Sequence, residues 1–411
     1  MTRPNTATTS PQHHHIGIIG GGQLAWMMAQ AAQSLPIDVI VQAAHPTEPA
    51  ATISPQVIYG AVQDAQATAQ LAQITDVITF ENEFVDLVAL NRLAVEGTIF
   101  YPSLGTLALT VDKLSQRQHF DAHGIPTPQF WAVDHWEQVL QVMATQQFPL
   151  VLKTRRHGYD GNGTWVIRDL ENLEKIWQQL VKVPDANSQI TQGDALQANA
   201  ILEAFIPFER ELAIIAARNQ QGEIALYPVT ETVQVNQVCR RTITPAPVNS
   251  AIQTQVRTIA TQLLESLAFV GVLGIEFFLT PSGQVLVNEI APRTHNSGHY
   301  TIEGCDTSQF SQLLRIVAGL PMGETTMQAP VAAMVNLLGT IDGDTDYFAQ
   351  RQAIAALNLS DQSSQLGIYI HWYGKNQSRR GRKLGHVTIL ADNHATAAAA
   401  ITAVERIWYG D

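Results

Sequence analysis

Short apolar runs alternate with amphipathic stretches along the first hundred residues. The apolar run over 16–19 is followed by a glycine turn, and residues 24–31 then carry apolar side chains at helical spacing. Alternating strand and helix patterns are typical of a parallel sheet, so we predict a doubly wound α/β domain over residues 16–110. Its further predicted strands cover 39–41, 57–59, 77–80 and 99–101, and its further helices cover 65–73 and 85–95.

A different pattern begins near residue 111. A helical pattern over 113–122 stops before Pro126 and Pro128, which favour an extended chain. Strand-like runs then alternate over 147–235, around one polar helical stretch. We predict an α+β domain over 111–325 and a small C-terminal domain over 326–411. The remaining predicted features are a mobile lid at about 134–205 with a polar loop at 183–200, helices at 170–181, 250–267 and 306–318, and a hairpin around 280–283.

The first fifteen residues are polar and include a run of three histidines, His13 to His15. They contain no apolar segment of the signal-peptide type, so we expect a disordered tail over 1–15. Adjacent histidines can bind a metal, but at a polar terminus they more often lie in solvent, which is the interpretation we favour.

Composition narrows the class of protein. Lys and Arg total 24 against 36 for Asp and Glu, a net charge of −12, which argues against binding to a nucleic-acid backbone. No apolar stretch reaches the length of a membrane-spanning helix. Two cysteines, Cys239 and Cys305, are too few for a disulfide framework. We therefore expect a cytoplasmic enzyme with no nucleic-acid or membrane partner.

The glycine turn after the first strand matches the dinucleotide pattern G-x-G-x-x-A at Gly20, Gly22 and Ala25. The acidic residue that would hold a ribose is missing, because 41–44 read Val-Gln-Ala-Ala. The turn still presents main-chain N–H groups, which favours a simpler phosphate over NAD. A turn without any ligand is an equally good interpretation of this motif alone.

A second glycine-rich loop follows Lys153, at the end of a predicted strand. Gly158, Gly161 and Gly163 give this loop the freedom to fold over a polyphosphate, while Lys153 supplies a charge. An ordinary long hairpin with a polar tip is the alternative.

Two glutamates flank the later hairpin. A two-residue turn at Ser282 and Gly283 would place Glu276 directly opposite Glu289, with Asn288 beside them. Facing carboxylates repel, whereas a divalent cation with nucleotide phosphates as further ligands turns this repulsion into binding. A three-residue loop would instead put the two side chains on opposite faces.

Two polar loops complete the candidate chemistry. Residues 291–299 combine Arg293, His295 and Asn296, and residues 375–383 hold five cations, Lys375 and Arg382 among them. Both loops are suited to binding anions.

Four motifs in this order resemble one family. GGGQL, GYDGNGTW, NEIAPRTHNSGHYT and HWYGK with GRKLGHV are similar to the N5-carboxyaminoimidazole ribonucleotide synthetases of purine biosynthesis, within the ATP-grasp superfamily. The resemblance implies an ATP-grasp fold with an N-terminal doubly wound pre-ATP-grasp domain and a small C-terminal domain. This sequence differs from the family pattern at Ala25, Thr232 and Arg380.

The resemblance also implies a reaction. ATP would phosphorylate bicarbonate, and carboxyphosphate or its CO2 would carboxylate 5-aminoimidazole ribonucleotide, with Mg2+ as cofactor and a homodimer as the assembly. A sister ATP-grasp ligase is the alternative, such as a formate-dependent phosphoribosylglycinamide transformylase or a biotin carboxylase. A catalytically silent nucleotide-binding protein is disfavoured, because Lys153, Glu276 and Glu289 are all present.

Site roles follow from the resemblance, position by position. Glu276 and Glu289 would bind the metal. The catalytic residues would be Arg293, His295, Asn296, Lys375 and Asp160, and the ribonucleotide would contact Gly22, Gln23, Tyr159, Asp160, Lys375 and Arg382. The residues implied to contact ATP are Lys113, Lys153, Gly158, Tyr159, Asp160, Gly161, Asn162, Gly163, Thr164, Glu203, Ala204, Phe205, Ile206, Glu211, Glu231, Asn288 and Glu289.

Overall fold

The computed structural model describes residues 14–410, apart from 157, 159–160, 183–198, 358–366 and 376. The first strand begins at His14, which pairs with Ile37, so the predicted tail is wrong for its last two residues. The elements of the N-terminal domain are β1 (His14–Ile19), α1 (Gln23–Ala32), β2 (Ile37–Ala43), β3 (Gln56–Tyr59), α2 (Ala65–Ala72), β4 (Val77–Phe80), α3 (Leu87–Val95) and α4 (Leu104–Thr110).

The strands of this domain form a parallel sheet in the order β3-β2-β1-β4. Every residue of β4 is buried, as expected for a parallel strand covered on both faces. The predicted strand at 99–101 is instead a single bridge between Ile78 and Phe100. The doubly wound fold places the carboxyl ends of β1 and β4 side by side, which is where such sheets bind ligands.

The next segment contains a small antiparallel sheet in the order β5-β8-β6-β7. Leu152, Leu202 and Trp177 lie in the core between this sheet and its helices. Most of the predicted polar loop, residues 183–198, lies outside the described residues. The elements are α5 (Lys113–Ala122), β5 (Phe130–Val133), α6 (Trp136–Met143), β6 (Leu150–Thr154), β7 (Thr164–Ile167), α7 (Leu170–Lys182) and β8 (Ala200–Ala204).

The rest of the chain builds a larger antiparallel sheet. Its elements are β9 (Arg210–Arg218), β10 (Ile224–Leu226), β11 (Thr230–Val235), β12 (Val238–Thr244), α8 (Ser250–Ser266), β13 (Gly271–Leu279), β14 (Val285–Ala291), α9 (Thr301–Gly304), α10 (Gln309–Val317), β15 (Val331–Leu338), α11 (Phe348–Ala356), β16 (Gly367–Trp372), β17 (Lys383–Ala391) and α12 (His394–Tyr409).

This sheet crosses the predicted boundary near residue 325. Its order is β14-β13-β9-β11-β12-β15-β17-β16, with β10 beside β9, and Thr242 of β12 pairs with Met334 of β15. The C-terminal segment therefore extends the preceding sheet instead of forming a separate one. Among the described helices, none combines the length and the apolar character needed to cross a membrane.

Buried histidines lie where α9 and its preceding turn pack on the C-terminal strands. The His386 ring lies 4.4 Å from that of His371 and 4.9 Å from that of His299, and His386 Nδ1 lies 2.8 Å from the Tyr373 hydroxyl. In the described part of the chain, Nε2 of His299 and of His386 has no hydrogen-bond partner. Burial lowers the pKa of both imidazoles, and the nearby cation Lys383 lowers that of His299 further. Both rings are therefore neutral in the folded protein.

This cluster predicts a loss of stability in acid. The unfolded chain protonates its histidines near pH 6.5, whereas the folded chain does so only at lower pH. The stability that these two neutral histidines contribute is therefore complete above pH 6.5 and falls below it, by up to about 1.4 kcal/mol per pH unit for each of them. Chemical denaturation at pH 7.5 and 5.5 measures the slope. His386→Asn, which keeps an acceptor for Tyr373, should flatten it, and the exposed His45→Asn should not. Equal slopes in all three proteins would contradict the assignment.

Candidate active site

Helix α5 supplies two cations from one face, because Lys113 and Arg117 are four residues apart. Lys113 Nζ lies 2.8 Å from Glu289 Oε2 of β14. Arg117 Nε lies 2.7 Å from Glu203 Oε1 of β8, and its Nη2 donates to the main-chain carbonyl of Asn288 at 2.6 Å. The helix thus connects the small sheet to the edge of the large one.

Lys153 and Glu203 form a buried ion pair on the small sheet. Lys153 is paired with Ile201, so Glu203 is its diagonal neighbour on the same face, and Lys153 Nζ lies 2.8 Å from Glu203 Oε2. Burial alone would raise the pKa of Glu203, but the charges of Arg117 and Lys153 outweigh it and lower the pKa to about 2. The carboxylate therefore stays ionised and fixes both cations, and Lys153 Nζ also donates to Asn288 Oδ1 at 3.2 Å.

The hairpin of β13 and β14 does bring the two predicted metal ligands together. Glu276 and Glu289 are direct cross-strand partners. The predicted turn is wrong, however, because Thr280 N–H donates to the Gln284 carbonyl and Pro281, Ser282 and Gly283 form a three-residue loop. A β-bulge then restores the pairing: Phe277 is opposite Val287 and Glu276 is opposite Glu289, which leaves Asn288 as the extra residue.

The pKa values of the two facing carboxyl groups are shifted in opposite directions. The charge of Lys113 lowers the pKa of Glu289, whereas burial and the negative charge of Glu289 raise the pKa of Glu276. Burial and Glu289 also raise the pKa of Glu211, on the adjacent strand β9, to about 7. A partly buried pair of facing carboxyl groups fits Mg2+, which commonly uses one or two carboxylates together with substrate phosphates. No cluster of three or more His, Cys, Asp or Glu suited to a metal occurs within the described residues.

The glycine loop between β6 and β7 is tied to the start of α5. Asp112 caps that helix and binds Arg155 through two contacts, at 2.9 and 3.1 Å, and Lys113 N–H donates to the Arg155 carbonyl. A Cβ on Gly158 would lie 3.5 Å from Lys113 Cε, so the loop begins beside this lysine. Gly161, Asn162 and Gly163 follow in the loop, and Thr164 is the cross-strand partner of Lys153. Tyr159 and Asp160 lie outside the described residues.

The predicted anion-binding residues after β14 contact three different partners. Arg293 Nε lies 2.7 Å from Glu83 Oε2 of the N-terminal domain, and His295 Nε2 lies 3.6 Å from Glu276 Oε1. The Asn296 side chain exchanges two hydrogen bonds with the Asn336 amide of β15, at 2.7 and 3.0 Å. His295 thus lies beside the acidic pair, whereas Asn296 is engaged with the C-terminal strands.

The first glycine turn holds an anion of the protein itself. The Glu81 carboxylate accepts hydrogen bonds from Gly22 N–H at 2.6 Å and Leu24 N–H at 3.1 Å, so the N–H groups expected to bind a phosphate have a partner within the protein, and the phosphate stays a prediction. A Cβ on Gly22 would collide with this carboxylate, which explains the glycine. Gln23 instead reaches the C-terminal loop, because Lys375 Nζ donates to its Oε1 at 2.5 Å. The turn and Lys375 are therefore together, as predicted.

The other predicted residues are more dispersed. Arg382 donates to the Gln377 carbonyl at 2.7 Å, and Glu231 Oε2 lies 2.8 Å from Arg210 Nη1 on the large sheet. Ala204 ends β8, where its N–H donates to the Gln129 carbonyl, and the chain continues through Phe205 and Ile206. The structure describes all of these residues, but whether they contact a ligand stays a prediction.

Glu81, Glu83 and Arg117 were missed by the sequence predictions. Glu81 directly follows β4 and Glu83 comes two residues later, and the parallel sheet places this end of β4 beside the glycine turn after β1. Their position at the carboxyl end of a predicted strand was the available signal. The signal for Arg117 was its spacing of four residues from Lys113 on a predicted helix.

The ion pairs of Glu203 predict a large effect on stability. Glu203→Gln leaves two buried cations without a counter-charge, so the free energy of unfolding should fall by about 3–5 kcal/mol. Glu231→Gln, which removes a partly exposed ion pair, is the matched control and should cost about 1 kcal/mol or less. Urea denaturation measures both, and equal costs would show that the buried pair is not what holds the two sheets together.

Family models match along most of the chain. A ribonucleotide synthetase pre-ATP-grasp domain matches residues 13–110, an ATP-grasp domain matches 118–310, and a phosphoribosylaminoimidazole carboxylase C-terminal domain matches 332–400. These matches agree with the observed architecture, and the predicted ATP-grasp fold is confirmed.

Whole-chain relatives give the same result. The chain is 46% identical to an N5-carboxyaminoimidazole ribonucleotide synthase of Synechococcus elongatus, over 98% of each chain. An ADP complex of an N5-carboxyaminoimidazole ribonucleotide synthetase is 32% identical, with a TM-score of 0.84 over 96% of this chain and 97% of that chain. An Aspergillus clavatus N5-carboxyaminoimidazole synthase with ADP and 5-aminoimidazole ribonucleotide is 27% identical, with a TM-score of 0.81 over 96% and 98%. The chain therefore belongs to the N5-carboxyaminoimidazole ribonucleotide synthase family of ATP-grasp ligases.

Proposed function

We propose that this chain uses ATP and bicarbonate to carboxylate 5-aminoimidazole ribonucleotide on its exocyclic amine, giving N5-carboxyaminoimidazole ribonucleotide, ADP and phosphate in purine biosynthesis. One observation carries the proposal: the acidic pair Glu276 and Glu289 lies directly beside Lys113, with Lys153 one residue away at Asn288. Cations that neutralise phosphates and carboxylates that hold a metal are what phosphoryl transfer requires.

Mg2+ is the metal that we propose for Glu276 and Glu289. When bound, it would neutralise charge on the nucleotide phosphates. Lys113 now balances part of the negative charge of Glu289, whose side chain is 42% exposed and therefore open to exchange its partner. Lys113 and Lys153 would then each present an ammonium group to the phosphates, while Glu203 keeps Lys153 in place.

Bicarbonate is proposed to bind near Arg293 and His295. His295 lies beside Glu276, and Arg293 is held by Glu83, so both groups are fixed before a ligand arrives. The phosphorylated bicarbonate would be short-lived in water, and we propose that Tyr159, Asp160 and the glycine loop around them exclude water from it.

The ribonucleotide is proposed to bind between the first glycine turn and the C-terminal loop. Lys375 Nζ donates to Gln23 Oε1 at 2.5 Å and to the Lys383 carbonyl at 2.7 Å, and Arg382 lies in the same loop. Both cations would bind the ribonucleotide phosphate. The aminoimidazole would then point toward the centre of the site, between the N-terminal domain and Arg293.

The state of the cysteines bears on the location of the protein. Both cysteines are free thiols, which agrees with the reducing cytoplasm that we propose as the location. The homodimer implied by the resemblance stays a prediction.

The proposed reaction predicts a specific dependence of ADP formation on its substrates. Purified protein with Mg2+, ATP and bicarbonate should release ADP faster by about tenfold or more when 5-aminoimidazole ribonucleotide is added, because substrate binding energy completes the site. Glu289→Gln should lower this rate by on the order of 10²-fold, the scale of one lost electrostatic contact. The exposed Glu265→Gln on α8 serves as the control and should retain the rate.

Two results would contradict the proposal. ADP release that needs formate and glycinamide ribonucleotide would indicate a transformylase. Full activity of Glu289→Gln would show that Glu289 does not bind an essential metal. The substrate would then still be judged from the dependence of ADP release on 5-aminoimidazole ribonucleotide.

A further inference from the structure

The hydrophobic core does not determine which residue of the β14 bulge faces Glu276. Val287 and Ile290 are both buried in the same core, which leaves two residues, Asn288 and Glu289, to oppose the single residue Glu276. Either residue of the two could face Glu276 without disturbing the core. Only one arrangement makes an acidic pair.

We propose that Arg117 is a positioning residue for the metal-binding pair: by holding the main-chain carbonyl of Asn288, it aims the Glu289 carboxylate at Glu276. The inference rests on the proposed function, because it assigns a purpose to the same pair of glutamates.

The carbonyl directions identify the contact. Successive carbonyls of a regular strand point to opposite sides. In β14, however, Val287 O accepts from Thr127 Oγ1 at 3.1 Å and Asn288 O accepts from Arg117 Nη2 at 2.6 Å, so two successive carbonyls are bonded away from β13. The Asn288 carbonyl therefore makes no hydrogen bond to β13, and a buried carbonyl needs another partner. Arg117 supplies that partner.

Arginine suits this position because its donors point in two directions. Arg117 Nε donates to the Glu203 carboxylate and Nη2 donates to the Asn288 carbonyl, and the arginine side chain is only 2% exposed. A lysine ammonium on a flexible stem could keep the ion pair but would not hold both partners in one plane. Lys153 on the Asn288 side chain and Lys113 on Glu289 secure the two neighbouring groups. Arg117 alone holds the main chain among these contacts.

The test compares Arg117→Lys and Arg117→Met with the wild type and with Arg218→Lys. Arg218 also donates to a main-chain carbonyl, that of Phe269 at 3.0 Å, but lies at the far end of β9. The first readout is Mn2+ binding in the presence of ADP, followed by electron paramagnetic resonance of the free ion. Arg117→Lys should weaken Mn2+ by about 10- to 100-fold, as for other losses of a residue that orients a metal ligand. Arg218→Lys should bind Mn2+ as the wild type does.

A second readout needs no metal. Hydrogen exchange of the peptide covering 285–291, in metal-free protein, should be faster in Arg117→Lys than in wild type and unchanged in Arg218→Lys. In steady-state assays, KM for Mg-ATP should rise in Arg117→Lys, while KM for the ribonucleotide stays within about twofold. A merely structural arginine would lower stability without this split.

The outcomes separate the two claims. Wild-type protein that binds no Mn2+ with ADP would overturn the proposed metal site and the inference with it. If Arg117→Lys binds Mn2+ as tightly as the wild type and shows normal hydrogen exchange in 285–291, the role of Arg117 is overturned while the metal site stands. If Arg117→Met does not fold, the folded Arg117→Lys still decides the result.

Discussion

Two carboxylates that face each other across a β-ladder repel, and the arrangement of this molecule depends on keeping them there. Glu276 and Glu289 are held opposite each other in a partly buried position, where water screens their charges poorly. The protein partly offsets the repulsion through Lys113, while burial together with the negative charge of Glu289 raises the pKa of Glu276. A pair of this kind costs stability unless it binds a cation, which is the physical basis of the proposed metal site.

The surrounding charges come from separate parts of the chain and meet through buried contacts. Helix α5 brings Lys113 and Arg117, the small sheet brings Lys153 and Glu203, and the edge of the large sheet brings the acidic pair. Because Glu203 binds both Arg117 and Lys153, the small sheet cannot move independently of α5 without breaking a buried ion pair. Lys375 on Gln23 and Arg293 on Glu83 link the N-terminal domain to the same site.

Much of the fold could be predicted from local patterns, since helix α5 and strand β4 have the predicted bounds and most other predicted elements shift by a few residues. The pairing of Glu276 with Glu289 was predicted for the wrong reason, because a three-residue loop and a bulge compensate each other. The sequence does contain a sign of the bulge: apolar residues at 285 and 287 are followed by one at 290, a break in the period of two. The Glu81 contact and the histidine cluster depend on which strands are neighbours, which no local pattern determines.

The most direct test of the acidic pair is diffraction from crystals grown with Mn2+ and ADP, collected where manganese scatters anomalously. We expect an anomalous peak bonded to carboxylate oxygens of both Glu276 and Glu289 and to phosphate oxygens of the nucleotide. Bound ADP with no peak between these two side chains, or a peak bonded to other residues, would contradict the proposed metal site.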